Sequence, residues 1–533
     1  MIKIDHDTTY YAISRYEEKD YLKNSGFWWN VEKRRWETSS IRVIRKLMSL
    51  TPIEILQTAQ EQVAKDEVFI QQRVAQSQAI VSHITIPLPE GLQLRDYQKA
   101  AVEFIDNHPH TLLADEMGLG KTIEVIAWLN YRQPSKVLII CPKIAKYVWT
   151  NELQRWKIVN YNINVVENTL PINNERTVNI MHYEQLLKYG ENMSNMQWDV
   201  MILDESHYIK NRDAKRTKYV LSLRNNAAKR ILLTGTPVMN RPVELFTQLK
   251  VLDNYLAQSY TRFVSQYVVF DDYMQPSGGK NLIDLQERLR TSVMLRRMKS
   301  DVLSELPDKI RQIITLPFSI LTKQQQEMEK EAMELYNQII TQKADHNVNL
   351  PSIKNNNIIA FENISKIRHL TVLAKLPMII THLKQLLDSG EKVVVFAHHR
   401  DVIESIVNEF NDKCVKLTGD DNTQQRVDAI QSFQNDRKIQ LFVASIKASG
   451  VAITLTAANV CVFAELDWTP STIVQAEDRL HRIGQQKAVQ SQFLVVENTI
   501  DSLLAQTLTE KSQLIHHTVD WESITQQHLE EML

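Results

Sequence analysis

Leu112-Leu113-Ala114-Asp115-Glu116-Met117-Gly118-Leu119-Gly120-Lys121-Thr122 decides the fold of this chain. Thr111 to Ala114 reads as a short buried strand and Ile123 to Leu129 as the helix that follows. A loop ending in Gly-Lys-Thr joins them. Strand, glycine loop and helix in that order form a phosphate-binding arrangement, in which loop and helix N–H groups point at phosphate oxygens. Lys121 is expected on the β and γ phosphates of a nucleotide and Thr122 on Mg²⁺. Gly118 and Gly120 give the loop its close approach. Asp115 stands where the strict pattern has its first glycine; the bland alternative is an ordinary strand-to-helix turn.

Outward from that loop the pattern repeats. Val137–Ile140, Val178–Met181, Val200–Leu203 and Ile231–Leu233 are continuous apolar runs separated by helical stretches. Such runs imply a parallel sheet covered on both faces, with ligands at the carboxyl ends of its strands. Lys121, Lys143, Asp204-Glu205 and Thr234-Gly235-Thr236 all follow those ends. Asp204 is read as the Mg²⁺ carboxylate and Glu205 as the residue that orients the attacking water. His207 is either structural or a link from the γ-phosphate to Thr234 and Thr236. A second series, Val393–Phe396, Val415–Leu417, Leu441–Ala444, Val460–Ala464 and Phe493–Val496, has no glycine phosphate loop. Within Gln475 to Gln485, Arg479 and Arg482 stand three apart, as on one helix face. They are either supplied to a phosphate from a facing lobe or paired on the surface with Glu477 and Asp478.

The flanks differ in character. In Gly26 to Trp36, read as a β-hairpin, Trp28, Trp29 and Trp36 are interleaved with the basic residues Lys33, Arg34 and Arg35. The tryptophans either stack on unpaired bases or form the core of a very small domain. Pro52 to Ile80 reads as a long helix and connector. Leu289 to Lys299 is strongly basic, either a solvated face or a DNA contact. Ala344 to Asn357, rich in asparagine, reads as a loop.

Composition sets the bounds. A chain of 533 residues holds three or four domains. A net charge of −1 confines any nucleic-acid binding to local patches. Cys141, Cys414 and Cys461 lie far apart, which argues against disulfides and a cysteine zinc site. Without a secretory signal or long apolar run, the expectation is an intracellular protein with no membrane partner.

Taken in order, these segments resemble the motifs of superfamily 2 helicases. They are most similar to the Swi/Snf-type ATPases, over about residues 91 to 510. Leu94-Arg95-Asp96-Tyr97-Gln98 resembles the adenine-recognition segment, with Gln98 as base reader. Asp115 to Thr122 resembles motif I, Asp204 to His207 motif II and Leu233 to Pro237 motif III. Met294 to Arg297 with Glu305-Leu306-Pro307 resembles the family's insertion region, and Gln475 to Gln485 resembles motif VI. Val395 to His399 and Phe463 to Leu466 are similar to the annealing-helicase branch, and the tryptophan hairpin resembles its HARP domain. Ala452 and Trp468-Thr469-Pro470 depart from the family's wording in motif V and after it.

The resemblance implies an α/β chain of two RecA-like parallel-sheet lobes, with helical insertions and a small N-terminal α+β domain. The expected layout is a HARP-like domain at 1–50, a helical linker at 51–90, and lobe 1 at 91–310 with its insertion from about 244. A helical insertion at 311–375, lobe 2 at 376–498 and a helical brace at 499–533 complete it. The implied activity is DNA-dependent ATP hydrolysis that drives translocation on double-stranded DNA, including forked DNA. The alternative is a strand-separating DNA or RNA helicase. ATP and Mg²⁺ are the implied cofactors. Lys121, Asp204, Glu205, Arg479 and Arg482 are the expected catalytic set, with Gln98, Asp115, Gly118, Gly120 and Thr122 around the nucleotide. His207, Thr234, Thr236 and Gln475 are the expected coupling residues. Lys143, Tyr183, Ser449 and Gly450 are expected on DNA, with single-stranded DNA expected on Trp28, Trp29, Arg34, Arg35 and Trp36. Protein partners are unknown at this stage.

Overall fold

The computed structural model describes residues 2–143, 145–168, 170–172, 174–235, 242–270, 276–344, 350–446, 453–467 and 470–506. Thr236, Ser449, Gly450, Ala452, Trp468, Thr469 and most of the expected C-terminal brace lie outside the described residues. The chain divides into two compact units, Met1–Ala79 with Ile283–Met294, and Ile80–Leu282 with Leu295–Leu533.

The smaller unit carries a five-stranded sheet. Ile2–His6 pairs antiparallel with Tyr10–Ile13 and parallel with Ile53–Ile55. Tyr10–Ile13 pairs with Arg35–Thr38, which closes the hairpin with Trp28–Asn30. Its core is Ile2, Ile4, Tyr10, Leu22, Phe27, Ile44 and Leu47. The unit therefore runs past the expected boundary at 50. Part of the expected linker is the parallel strand Ile53–Ile55, and the long helix starts only at Gln57. Arg42 and Arg45 pair with Glu287, which ties the distant helix Leu282–Ser292 into this unit.

The larger unit holds both parallel sheets. In the first, His110–Leu113, Ala227–Leu233, Trp198–Asp204, Lys136–Cys141, Thr177–His182 and Asn162–Val165 lie side by side in that order. The edge strand Met294–Leu295 contributes Leu295, whose carbonyl accepts the Ala114 N–H at 2.8 Å. Asn162–Val165 is a strand that the sequence reading did not foresee.

The second sheet runs Lys309–Leu316, Val489–Val496, Val460–Phe463, Val393–Ala397, Leu441–Ser445, Cys414–Leu417. Both of its faces are buried: Val394 and Phe396 join one apolar cluster, Val393, Val395 and Ala397 the other. This is the continuous apolar run expected of a doubly covered parallel strand.

Lobe 2 begins earlier than expected, because Lys309–Leu316 is paired in full along Val489–Val496 rather than helical. Two further expectations are corrected. Leu350–Asp388 is one helix, so residues 350–357 are not a loop. Within it, Ser365–Asp388 is long and apolar enough to cross a membrane by length and composition. However, Val372, Ile379 and Leu383 of this stretch are buried in the lobe 2 core.

Candidate nucleotide site at the lobe seam

The phosphate loop leaves the strand His110–Leu113. Its neighbour ends at Leu233, and the next strand ends at Asp204, with Leu113, Leu233 and Asp204 in register across the three. Lys121, Thr234 and Asp204 therefore emerge at one end of adjacent strands. Gly118 and Gly120 adopt φ of +87° and +90°, a left-handed backbone that side chains oppose. A Cβ on Gly120 would come within 2.6 Å of the Gln98 amide, and one on Gly235 within 2.3 Å of Met117 Cγ and 3.5 Å of Lys121 Nζ. These glycines keep a cradle open around the lysine. Lys121 opens the helix Lys121–Arg132, and its ammonium donates to the Asp115 and Glu116 carbonyls at 2.6 and 3.2 Å. Burial lowers its pKa, opposed by the carboxylates of Glu205, Asp115, Glu124 and Asp204.

Asp204 accepts from the Trp149 indole N–H at 2.9 Å and from the Glu205 N–H at 2.9 Å. Burial, reinforced by repulsion from Glu205, pushes its pKa up to about 6. Glu205 sits at φ +48° with its carboxylate 3.3 Å from His207 Nδ1. Burial raises its pKa, but His207, Lys121 and Arg479 together bring it below the ordinary value. A strained backbone at the second acid is the kind of feature that clusters at functional sites. Thr122, on the first turn of the helix, and Asp204 are the oxygen donors that would hold Mg²⁺. When bound, that ion would neutralise phosphate charge. The glycine cradle and the carboxylate pair beside Lys121 fit that demand.

Lobe 2 meets this site directly. A Cβ on Gly118 would stand 2.9 Å from the Arg482 Cβ. The Arg482 guanidinium donates to the Ile453 carbonyl at 2.9 Å and Thr454 Oγ1 at 3.0 Å. Arg479 is buried, and burial lowers its pKa to about 10 together with repulsion from Arg482, while Glu205 and Asp204 of lobe 1 pull it up. Both arginines stand beyond the helix Pro470–Glu477, in the turns that follow it. They are thus not on a helix face as their spacing suggested. Gln475 is buried in the last turn of that helix.

A family model for the SNF2-related domain matches residues 94–388, and one for the helicase conserved C-terminal domain matches residues 375–484. The chain belongs to the SNF2-related family. It is 31% identical over 79% of its length to a Caenorhabditis elegans homolog of SWI/SNF-related matrix-associated actin-dependent regulator of chromatin subfamily A-like protein 1, covering 61% of that protein. It is 31% identical over 81% of its length to human DNA annealing helicase and endonuclease ZRANB3, covering 41% of it. The chain thus spans about half the length of these relatives. Among solved structures it is similar to the Sulfolobus solfataricus SWI2/SNF2 ATPase core in complex with dsDNA, 25% identical over 82% of this chain and 94% of that one, with a TM-score of 0.38.

Some expected residues of this SNF2-related chain sit elsewhere than foreseen. Asp115 does not face the cradle: its carboxylate accepts from the Arg297 N–H at 2.8 Å and Nε at 3.1 Å, in a fully buried ion pair. Arg297 also reaches Glu124 at 3.1 Å and the Tyr97 carbonyl. Burial and the charge of Asp115 raise the Glu124 carboxyl to about 8. The basic run is thus neither a solvated face nor a DNA contact at Arg297 and Lys299, both of them buried. Tyr183 is corrected as a DNA residue as well: it is fully buried and donates its hydroxyl to the Asp204 carbonyl at 2.8 Å. Gln98 is buried against the loop, donating to the Leu119 carbonyl at 3.2 Å. Glu477 pairs with Lys309 and Arg311, and Asp478 pairs with Lys299 and Lys309.

Lys143 is exposed and lines a cavity of about 360 Å³ between the lobes, with Tyr147, Asn151, Asp421, Arg426 and Thr454. In the smaller unit, Trp28 and Trp29 are 48% and 47% exposed, while Trp36 packs partly on the core. The core reading thus holds for Trp36, while Trp28 and Trp29 lie at the surface. Arg35 is committed to Asp7 and Glu37, and Arg34 is exposed at φ +50°. Trp149, Arg297 and Lys299 were missed as site residues. A lone tryptophan on a helix and a run of arginines carry no signal of what they face.

Proposed function

We propose that this chain is an ATP-dependent double-stranded DNA translocase of Swi/Snf type that acts on forked or branched DNA, in the service of strand annealing, fork remodelling or repair. The observation that carries the reading is the approach of Arg482 to Gly118, which brings a lobe 2 arginine to the phosphate loop of lobe 1. In this reading ATP lies on Lys121, Gly118, Gly120 and Thr122, with Gln98 turning to the base. Glu205 aligns water, and Arg479 and Arg482 neutralise the charge that develops on the transferred phosphoryl group. Nucleotide draws the lobes together and hydrolysis releases them, so that alternating grip steps the motor along the duplex. His207, Thr234, Thr236 and Gln475 carry that change towards DNA held by Lys143, Ser449 and Gly450. The grip falls mainly on phosphates, so binding weakens steeply with salt. A DNA substrate places the protein inside the cell.

The fork preference is assigned to the small unit. Its cavity of about 620 Å³ is lined by Tyr11, Tyr16, Trp29 and Trp36 with Arg15, Lys19, Arg34 and Arg35, and by no carboxylate among the described residues. Aromatic faces beside positive charge suit unpaired bases and their phosphates. The name of the human relative, an annealing helicase, fits the same direction.

Two assays test the reading. A displacement assay on tailed duplexes, beside ATPase stimulation by blunt duplex, separates a translocase from a strand-separating helicase. The translocase reading expects stimulation without displacement, and displacement of tailed strands would overturn it. Trp28→Ala with Trp29→Ala should weaken single-stranded and forked DNA binding by about 1–3 kcal/mol per stacked base at an unchanged thermal midpoint. Equal affinity of that variant for forks would remove the role of the hairpin.

A further inference from the structure

Between the phosphate loop and the arginine turn lies Lys299, 4% exposed and absent from the expected site. The segment before it is stapled along the loop: Ala114 N–H donates to the Leu295 carbonyl at 2.8 Å, Glu116 N–H to the Arg297 carbonyl at 3.0 Å. Lys299 closes this staple by donating its own N–H to the Glu116 carboxylate at 2.7 Å. Its ammonium lies 3.8 Å from the same Glu116 carboxylate and reaches across to lobe 2. It donates to Asp478 at 2.9 Å and to the His481 carbonyl at 2.8 Å, the residues that immediately precede Arg479 and Arg482. The Lys299 Cε would lie 3.4 Å from a Cβ on Gly118. Asp478 is itself buried, and Lys309 approaches it from within lobe 2 at 3.5 Å.

We infer that Lys299 is an interlobe positioning residue. One residue is bonded through its backbone to the phosphate loop and through its side chain to the turn that carries both arginines. An ammonium and a carboxylate buried together resist separation, because parting leaves Asp478 only its longer contact with Lys309 at 3.5 Å and Lys299 only Glu116 at 3.8 Å. Tyr97 and Leu119 of lobe 1, Leu303 and Leu306 of the connecting segment, and Ile483 of lobe 2 form one apolar cluster beside it. The seam is therefore held at Lys299 while the lobes move elsewhere, and the arginines keep their register on the loop. The inference rests on the reading of Arg479 and Arg482 as phosphate residues.

The test uses the whole chain. Lys299→Met should lower the DNA-stimulated kcat by about 10- to 100-fold, the scale of a small misplacement of reacting groups. KM for ATP should stay within about threefold, since the lysine touches no nucleotide in this scheme. Spin labels at Asn160→Cys and Asp412→Cys, in a Cys414→Ser background, should report a broadened interlobe distance in Lys299→Met. Lys299→Arg should recover part of the narrow distribution. If Lys299→Met fails to fold, Lys299→Arg and Asp478→Asn give the same cycle, and their double variant should be no worse than the worse single. Wild-type kcat with an unbroadened distance, or losses that multiply in the double variant, would overturn the inference. Failure of the phosphate reading shows differently: Arg482→Ala would retain full activity while the distance result still stood.

Discussion

At Arg297 a single side chain takes up the acid that stands where the strict phosphate-loop pattern has a glycine. Asp115 occupies the glycine's place, and the guanidinium takes its carboxylate inward, so that only the Asp115 carbonyl faces Lys121. The missing glycine was visible in the sequence; its compensation, 182 residues downstream, was not. A run of arginines looks the same whether it faces solvent or two buried acids. Arg297→Ala should cost about 3–5 kcal/mol of stability, because the Asp115 carboxylate is left buried without its cation and Glu124 without its donor. Arg297→Lys should recover only part, since a point charge cannot bridge both acids and the Tyr97 carbonyl. Urea unfolding of the three proteins checks this, and a loss within about 0.5 kcal/mol, the size of an ordinary surface change, would contradict it.

Among the elements, the parallel strands were legible because both of their faces are buried and their residues run apolar without interruption. Lys309–Leu316 was not, since at the sheet edge it is only partly buried and Lys309, Arg311, Gln312 and Thr315 interrupt its apolar residues. The strings Val395 to His399 and Phe463 to Leu466, read as marks of one branch, meet across adjacent strands. Glu465 accepts the His398 and His399 N–H groups at 2.7 and 2.9 Å and the His399 imidazole at 2.5 Å. The bond to Glu465 raises the His399 pKa above 6.5. For Glu465, burial works upward, but His399 and the two N–H groups hold its pKa below 4.5.

Two limbs of a pH profile follow. The histidine's contribution is complete below 6.5 and is lost as pH rises through the raised value. The glutamate's contribution is complete above 4.5 and is lost as pH falls through the lowered value. The pair therefore stabilises lobe 2 most between the two. His399→Gln should flatten the alkaline limb of a denaturation-midpoint profile taken from about pH 5 to 9. An unchanged limb would show that the imidazole bears no proton in the folded state.

For the whole molecule, two sheets within one compact unit bring Lys121, Glu205 and Arg479 into one electrostatic neighbourhood. The order of motifs made the two lobes legible, while the arginines' distance from the phosphate loop could come only from three dimensions. The small unit's full extent was illegible for a related reason, since its last helix comes from residues beyond 280.

The central claim is that ATP is hydrolysed at the lobe seam under the control of duplex DNA. Steady-state ATPase activity, titrated with single-stranded, duplex, forked and RNA substrates, tests it most directly for the wild type, Lys121→Ala and Arg482→Ala. The account predicts stimulation by duplex and forked DNA in the wild type and loss of about 100-fold or more in each variant, as when transition-state charge is left unopposed. Hydrolysis indifferent to DNA, or a Lys121→Ala protein as fast as wild type, would contradict it.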